Sequence, residues 1–308
     1  MRIVFMGTPD FSVPCLQRLA EDGHELELVI TRPDKPRGRS RKPRPSPVKE
    51  AARALEIPVL QPENPNEPET IKDIAKARPD IIMVIAFGEI LGKEILELPE
   101  LGCVNAHASL LPRHRGAAPV QWAILQGDIV TGVTTMMMDH GMDTGDILLQ
   151  RETEISEQDT GGTLHDKLAA LSADLVAETL HGLEQGTIEP SPQDHDRATY
   201  ARELKKEDGR IDFHEDADTI ARKVRAFDPW PGAYAFIKGE QTRIMSARPE
   251  PRSSSPPGKV LSADRRGIVV ACKTGSIRML TLKPPGKKGM DAGAYLAGRG
   301  LSPGDRIE

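Results

Sequence analysis

Asn105 and His107 stand two positions apart in the run Gly102-Cys103-Val104-Asn105-Ala106-His107-Ala108-Ser109-Leu110-Leu111-Pro112. The run opens as a β-strand, and alternate side chains of an extended segment share a face, so the amide and the imidazole project together where the strand ends. A second stretch, Met138-Asp139-His140-Gly141-Met142-Asp143-Thr144-Gly145-Asp146, sets two glycines around a short acidic segment. Glycine allows a sharp turn there, which could aim the Asp143 carboxylate at a neighbouring strand. A calcium loop would need more oxygen ligands at regular spacing and a closing glutamate. An amide donor, an imidazole and a carboxylate brought to one point could meet a developing negative oxygen and move a proton. Singly, each residue type also serves structural ends, so the chemistry depends on the fold uniting them.

The surrounding pattern suits that task. Apolar runs at 2–6, 26–31, 81–86 and 103–106 predict strands, and amphipathic stretches at 12–21, 47–55, 69–76 and 118–125 predict helices between them. Such alternation predicts βαβ units and a mostly parallel sheet, whose ligand sites lie beyond the carboxyl ends of strands. A strand pair at 131–138 and 146–154 follows, then a long helix at 160–184. Residues 186–209 turn polar and Pro-interrupted, as a linker does. Short strands at 233–238, 242–247, 267–271 and 276–282, separated by Gly/Pro turns, predict a small β-barrel or sandwich. The predicted organisation is therefore 1–188, a linker at 189–207, and a smaller domain at 208–308.

Several classes are disfavoured. The first turn reads Gly7-Thr8-Pro9-Asp10-Phe11-Ser12 where a dinucleotide site needs Gly-x-Gly-x-x-Gly, which argues against a nicotinamide dehydrogenase. No apolar run approaches the ~20 residues that span a bilayer, and the opening Met1-Arg2-Ile3-Val4-Phe5-Met6-Gly7 stops at a turn instead of entering a signal-peptide core. Three widely spaced cysteines, Cys15, Cys103 and Cys272, suit neither a disulfide framework nor paired zinc ligands. A cytoplasmic, non-membrane protein is expected. The net charge of −5 conceals an asymmetry: residues 205–308 hold 20 Lys/Arg against 13 Asp/Glu (+7), and residues 1–204 hold 21 against 33 (−12). Such unevenness can mark the half that faces a polyanion.

Taken together, the motifs resemble the folate-dependent formyltransferases. Asn105, His107 and Asp143 fall on that family's catalytic positions. The blocks Gly7-Thr8-Pro9-Asp10-Phe11, Ser109-Leu110-Leu111-Pro112, Arg115-Gly116-Ala117-Ala118-Pro119, Arg225-Ala226-Phe227-Asp228-Pro229-Trp230-Pro231-Gly232 and Lys283-Pro284-Pro285-Gly286-Lys287-Lys288-Gly289-Met290 are similar to its methionyl-tRNA branch. Ala108, where some members carry Gly, is a minor variation. The resemblance spans nearly the whole chain. It implies a Rossmann-like α/β catalytic domain followed by a smaller OB-like β-barrel, and transfer of a formyl group from 10-formyltetrahydrofolate to the amino group of methionyl-initiator tRNA. The enzyme is expected to be a monomer, with no call for a metal. In that reaction Asn105 would donate to the developing oxyanion. His107 would donate a proton to the departing folate nitrogen, and Asp143 would pair with the imidazolium and help accept the amine proton.

The resemblance also implies two binding regions. The pterin ring would lie against Ile85, Ala86, Phe87, Gly88, Ile90 and Leu91, with Ser109, Leu110, Leu111 and Pro112 completing the folate site; an apolar wall with backbone groups at a turn suits a flat ring. Residues 32–49 hold eight basic residues, one acidic residue and five prolines, with no amphipathic pattern, which predicts an exposed loop. Basic flexible segments can order on RNA by neutralising phosphates. Within it Arg37, Arg39, Arg41 and Lys42 are the expected tRNA contacts, with Arg39 at the family's key basic position. Lys205, Lys206, Arg210, Lys283, Lys287 and Lys288 could line a face for the tRNA backbone.

Overall fold

Apolar runs that must be covered on both faces become inner strands of a parallel sheet, and this chain begins with one. The structure, a computed structural model, describes residues 1–36, 43–251 and 254–308. In chain order the elements are β1 (Arg2–Gly7), α1 (Val13–Glu21), β2 (Glu25–Ile30), β3 (Lys35–Pro36), β4 (Pro43–Arg44), α2 (Pro47–Ala54), β5 (Val59–Leu60), α3 (Pro68–Ala77), β6 (Ile81–Ile85), α4 (Lys93–Leu96), β7 (Cys103–His107), α5 (Pro119–Gln126), β8 (Val130–Met137), β9 (Ile147–Glu154) and α6 (Gly161–Glu184). There follow α7 (Ala217–Ala226), β10 (Tyr234–Ile237), β11 (Glu240–Glu250), β12 (Val260–Asp264), β13 (Gly267–Ala271), β14 (Ser276–Lys283), β15 (Met290–Asp291) and α8 (Ala292–Leu296).

The chain divides into two compact units. One comprises Met1–Pro119, Val130–Glu154 and His165–Ala201; the other comprises Val120–Ile129, Ile155–Leu164 and Arg202–Glu308. Among the described residues the first unit is built on one sheet in the order β5-β2-β1-β6-β7-β8-β9. From β5 to β7 the pairings are parallel; β8 and β9 run antiparallel. Ile3 to Met6 of β1 and Ile81 to Ile85 of β6 are buried, as inner parallel strands require. β9, at the edge, alternates half-buried and exposed residues from Leu149 to Glu154, as a strand with one solvated face does. The chain leaves β1 toward β2 on one side and reaches β6 on the other, so the carboxyl ends of β1 and β6, where Gly7 and Ile85 are in register, form a topological switch point. Helix starts follow ordinary capping: Ser46 Oγ accepts from Lys49 N at 3.1 Å and Pro47 opens α2.

The second unit carries the antiparallel order β10-β11-β14-β13-β12, with β15 on β14. Its two edges, β10 and β12, are joined by the end of the chain. Glu308 exchanges backbone hydrogen bonds with Phe236, while Val260 N donates to Asp305 O and Ile307 N to Gly258 O. This last segment bridges the two edges of the curled, barrel-like sheet and covers part of each. The core within it gathers Ile220, Val224, Ile237, Ile244, Ile268, Met279, Leu282, Tyr295 and Ile307. The helix α7 is absent from the strand-and-turn reading of this half; its buried residues Ala217, Ile220, Ala221 and Val224 recur at helical spacing.

Before the barrel, Asp208 fixes the turn that displays Lys205 and Lys206. Its carboxylate accepts from Arg202 Nη1 and Nη2 at 2.9 and 2.7 Å and from Lys205 N at 2.7 Å. These hydrogen bonds, Arg202 first, lower the Asp208 pKa from 3.8 to about 2. A carboxyl depressed in the folded state adds stability above its unfolded value and loses it as pH falls toward the folded value. Asp208→Asn is therefore expected to lower the urea midpoint of the second unit at pH 7, and the difference from the parent protein should vanish as pH falls from about 4 to 2. A difference of constant size across that range would refute this role.

Candidate active site

The strand β7 pairs with β6 on one side and β8 on the other, so the side chains of Asn105 and His107 emerge from the interior of a sheet. After β8 the chain does not pass directly into β9. Met138 N donates to Cys103 O at 2.8 Å, and Met137 N to Asp146 O at 2.9 Å. The intervening residues fold back over the face of β7 and bring Asp143 to Asn105 and His107. Asp143 Oδ2 lies 3.6 Å from His107 Nδ1, and Asn105 Nδ2 is 3.5 Å from Asp143 Oδ1. The three side chains thus meet within one unit.

His107 is 7% exposed, and its other nitrogen has a fixed partner: Nε2 lies 2.9 Å from the His114 carbonyl oxygen. A carbonyl only accepts, so Nε2 carries a hydrogen. The nitrogen facing the carboxylate is Nδ1, at a distance too long for a hydrogen bond. His114 is itself in the left-handed region (φ 57°), and its N–H donates to Thr199 Oγ1 at 2.9 Å, which turns its carbonyl onto the imidazole.

Asp143 is likewise left-handed (φ 54°), a conformation that non-glycine residues keep only where surroundings hold it. Gly116 N donates to its Oδ2 at 2.7 Å. Gly116 adopts φ 110°, and a Cβ there would lie 2.8 Å from Ala201 O, so only glycine brings this N–H to the carboxylate. Gly145 closes the turn against β8, where a Cβ would come within 1.9 Å of Met137 O. Cys103, at the start of the same strand, is no competing nucleophile: burial pushes its thiol up to about 12.

Residues 191–201, part of the stretch read as a linker, run along this site. Ser191 pairs with Ile147, and Thr199 and Ala201 pair with Arg115 through backbone hydrogen bonds. Between them Gln193 touches the Asp143 turn and the buried Arg115. Gln193 and the Gly116 N–H are site groups the sequence reading missed. The only sequence signal was the Arg115-Gly116 block, and nothing pointed to Gln193.

The segment after β6 lies at the switch point. Ser12 Oγ donates to Ile85 O at 2.6 Å, and Thr8 Oγ1 to Phe87 O at 3.1 Å. Ile85, Phe87 and Leu91 are buried, the latter two within the hydrophobic core, whereas Ala86 (φ 46°), Gly88 and Ile90 are exposed, Ile90 by 85%. A flat ring docking at this edge would meet Ala86, Gly88, Ile90 and backbone groups. Ser109 and Leu111 are buried and Leu110 and Pro112 half-buried. Thr134 ties this stretch to β8: its hydroxyl donates to Ser109 O at 2.7 Å and accepts from Leu111 N at 3.0 Å.

Of the basic stretch, Arg37, Arg39, Arg41 and Lys42 lie outside the described residues. At its ends, Arg32 pairs with Glu89 at 2.8 Å and the buried Lys49 with Asp34 at 2.7 Å, so these two cations already face carboxylates. Lys35 and Arg44 are register partners of β3 and β4. In the second unit Lys205, Lys206, Arg210, Lys283, Lys287 and Lys288 are all exposed. Among the described residues no group of three or more His, Cys, Asp or Glu could hold a metal ion, and no helix is long and apolar enough to cross a membrane.

The pattern of the formyl transferase family matches residues 1–180, and that of the formyl transferase C-terminal domain matches residues 203–300. The chain is 49% identical over 304 residues to a methionyl-tRNA formyltransferase of Citrifermentans bemidjiense, covering 99% of this chain and 95% of that one. It is 46% identical over 306 residues to that of Moorella thermoacetica, covering 99% and 98%. Among solved structures, WlaRD, a sugar 3N-formyl transferase, superposes with a TM-score of 0.66 at 16% identity over 94% of this chain and 99% of that one. HypX from Aquifex aeolicus, in complex with tetrahydrofolic acid, gives 0.65 at 20% identity over 96% of this chain and 47% of that one; these two likenesses speak to fold alone. By its sequence over both units, the chain belongs to the formyl transferase family, among the methionyl-tRNA formyltransferases.

Proposed function

We infer that this chain transfers the formyl group of 10-formyltetrahydrofolate to the free amino group of methionyl-initiator tRNA, giving N-formylmethionyl-tRNA for translation initiation. The observation that carries the reading is the meeting of Asn105, His107 and Asp143 in a chain whose relatives, similar over nearly full length, are methionyl-tRNA formyltransferases. The amine attacks the formyl carbon, forming the new C–N bond while negative charge gathers on the carbonyl oxygen. The Asn105 amide supplies a hydrogen bond to that oxygen, and such a donor contributes about 10²–10³ in rate. Asp143, anchored by the Gly116 N–H, takes the proton the new ammonium must lose. The C–N bond to folate then breaks, and the departing nitrogen receives the Nδ1 proton of the His107 imidazolium, which faces Asp143 at 3.6 Å while Nε2 stays on the His114 carbonyl.

On this reading, folate lies along the edge formed by Ala86, Gly88 and Ile90 and the neighbouring Leu110 and Pro112, and Ile85, Phe87, Leu91, Ser109 and Leu111 support it from within. The functional division follows 1–188 for chemistry and 208–308 for tRNA, with 189–207 as a connector whose residues 191–201 also brace the reacting groups. Arg37, Arg39, Arg41 and Lys42, with Lys205, Lys206, Lys287 and Lys288, neutralise tRNA phosphates and position the substrate without reading bases. On this reading the enzyme works as a cytoplasmic monomer.

Formylation of charged initiator tRNA, run beside an amino-sugar acceptor, tests the assignment. Asn105→Ala should lower kcat by about 10²–10³ and His107→Ala by about 10²–10⁴, with circular dichroism unchanged. Near-parental turnover in either variant, or preference for the amino sugar, would overturn it. Replacing Arg37, Arg39, Arg41 and Lys42 by alanine should raise the KM for tRNA and flatten its dependence on salt, by roughly 0.7–0.9 in log–log slope for each phosphate no longer neutralised. An unchanged slope would exclude this loop from the RNA interface.

A further inference from the structure

Arg115 is 2% exposed, the bulkiest of the fully buried side chains, and it is not among the groups assigned to the reaction. Burying a guanidinium is costly unless its donors are satisfied, so its partners reveal what the cost sustains. Its Nε and Nη2 donate to Gln193 Oε1 at 3.1 and 2.6 Å, and Nη2 also reaches His195 Nδ1 at 3.1 Å. Gln193 is 5% exposed and uses its other end as fully: Nε2 donates to Asp143 O at 2.9 Å and to Gly145 O at 2.7 Å. The guanidinium can only donate, so it fixes the amide with oxygen toward Arg115 and nitrogen toward the turn. A flipped amide would set NH₂ against guanidinium and oxygen against two carbonyl oxygens.

The turn needs such a hold. Asp143 sits in left-handed backbone, and one residue before it Met142 is 64% exposed and adds nothing to the core. We propose that Gln193, locked by buried Arg115, is a positioning residue that clamps the 143–145 backbone and so sets the Asp143 carboxylate against His107 and Asn105. The charge of Arg115 acts through Gln193 and not on the substrate. The clamp reaches the turn from residues 191–201, which ties the placement of Asp143 to a segment distant in sequence. The proposal rests on the reading of Asp143 as a reacting group.

The test compares Gln193→Leu and Gln193→Glu with the parent enzyme in formylation kinetics and in hydrogen exchange of residues 139–146. Gln193→Glu keeps an acceptor for Arg115, so the guanidinium stays partnered and the protein stays folded even where the leucine variant does not. It loses the donor to the two carbonyls. In the folded variants kcat should fall about 10- to 100-fold, the scale of a misplacement near 1 Å. The KM for folate and tRNA should stay within about threefold. Exchange at 139–146 should quicken at least tenfold with β1 unchanged. Parental kcat in Gln193→Glu, or exchange that quickens equally in β1, would overturn the clamp. Asp143→Ala separates this from the site assignment. If that variant keeps parental kcat, the assignment of Asp143 fails even where the exchange result stands. If it loses activity while Gln193→Glu does not, the clamp fails and the assignment stands.

Discussion

A carboxylate folded back over the strand that carries its partners is the constraint on which the site depends. Asn105 and His107 are placed by β7, an inner strand whose position is set by hydrogen bonds on both sides. Asp143 has no strand of its own. It reaches them because the excursion between β8 and β9 bends through left-handed backbone at Asp143 and packs Gly145 against Met137. Hydrogen bonds from Gly116 and Gln193 then hold carboxylate and backbone. Two side chains on rigid scaffold and one on a braced loop is a common compromise, since loops supply reach and strands supply precision.

The imidazole is held on the same terms. The carbonyl that fixes His107 Nε2 belongs to His114, whose own left-handed turn is secured by Thr199. The hydrogen on Nε2 is therefore decided by a backbone group seven residues away, and Nδ1 is left toward the carboxylate. Residues 113–118 and 191–201 thus act as a frame around β7. The switch point beside it, where β1 and β6 end, is the kind of edge at which open α/β sheets take ligands.

The second unit solves a different problem. The final residues, through Asp305, Ile307 and Glu308, cover parts of both sheet edges, which leaves less open strand to attract unwanted partners. Its exposed lysines lie on turns and at strand ends, where they can meet phosphate without disturbing the core. The excess of positive charge from residue 205 onward fits the proposed division of labour, for long-range attraction needs surface charge and catalysis needs buried, oriented groups.

Much of this was legible in the sequence. Apolar runs at 2–6 and 81–86 must become inner strands, because a stretch without polar alternation can be covered only by burying both faces; the period of two put Asn105 and His107 on one side of β7. The glycines around Asp143 announced a turn. Their motifs, with the blocks at 109–119, 225–232 and 283–290, were specific enough to point to the family. The sequence was silent on α7, whose short helical period was masked by neighbouring turns, and on Gln193, one polar residue in a polar stretch. It also could not show that Ile85, Phe87 and Leu91 face the core while Ala86, Gly88 and Ile90 face outward, or that Arg32 and Lys49 of the basic stretch already face carboxylates. Local pattern reports which groups a segment must bury or turn, because those preferences act within a few residues. Which groups meet across 38 or 78 positions was decided only by tertiary structure, where sheet order and hydrogen-bond geometry set the distances that make Asn105, His107 and Asp143 one site.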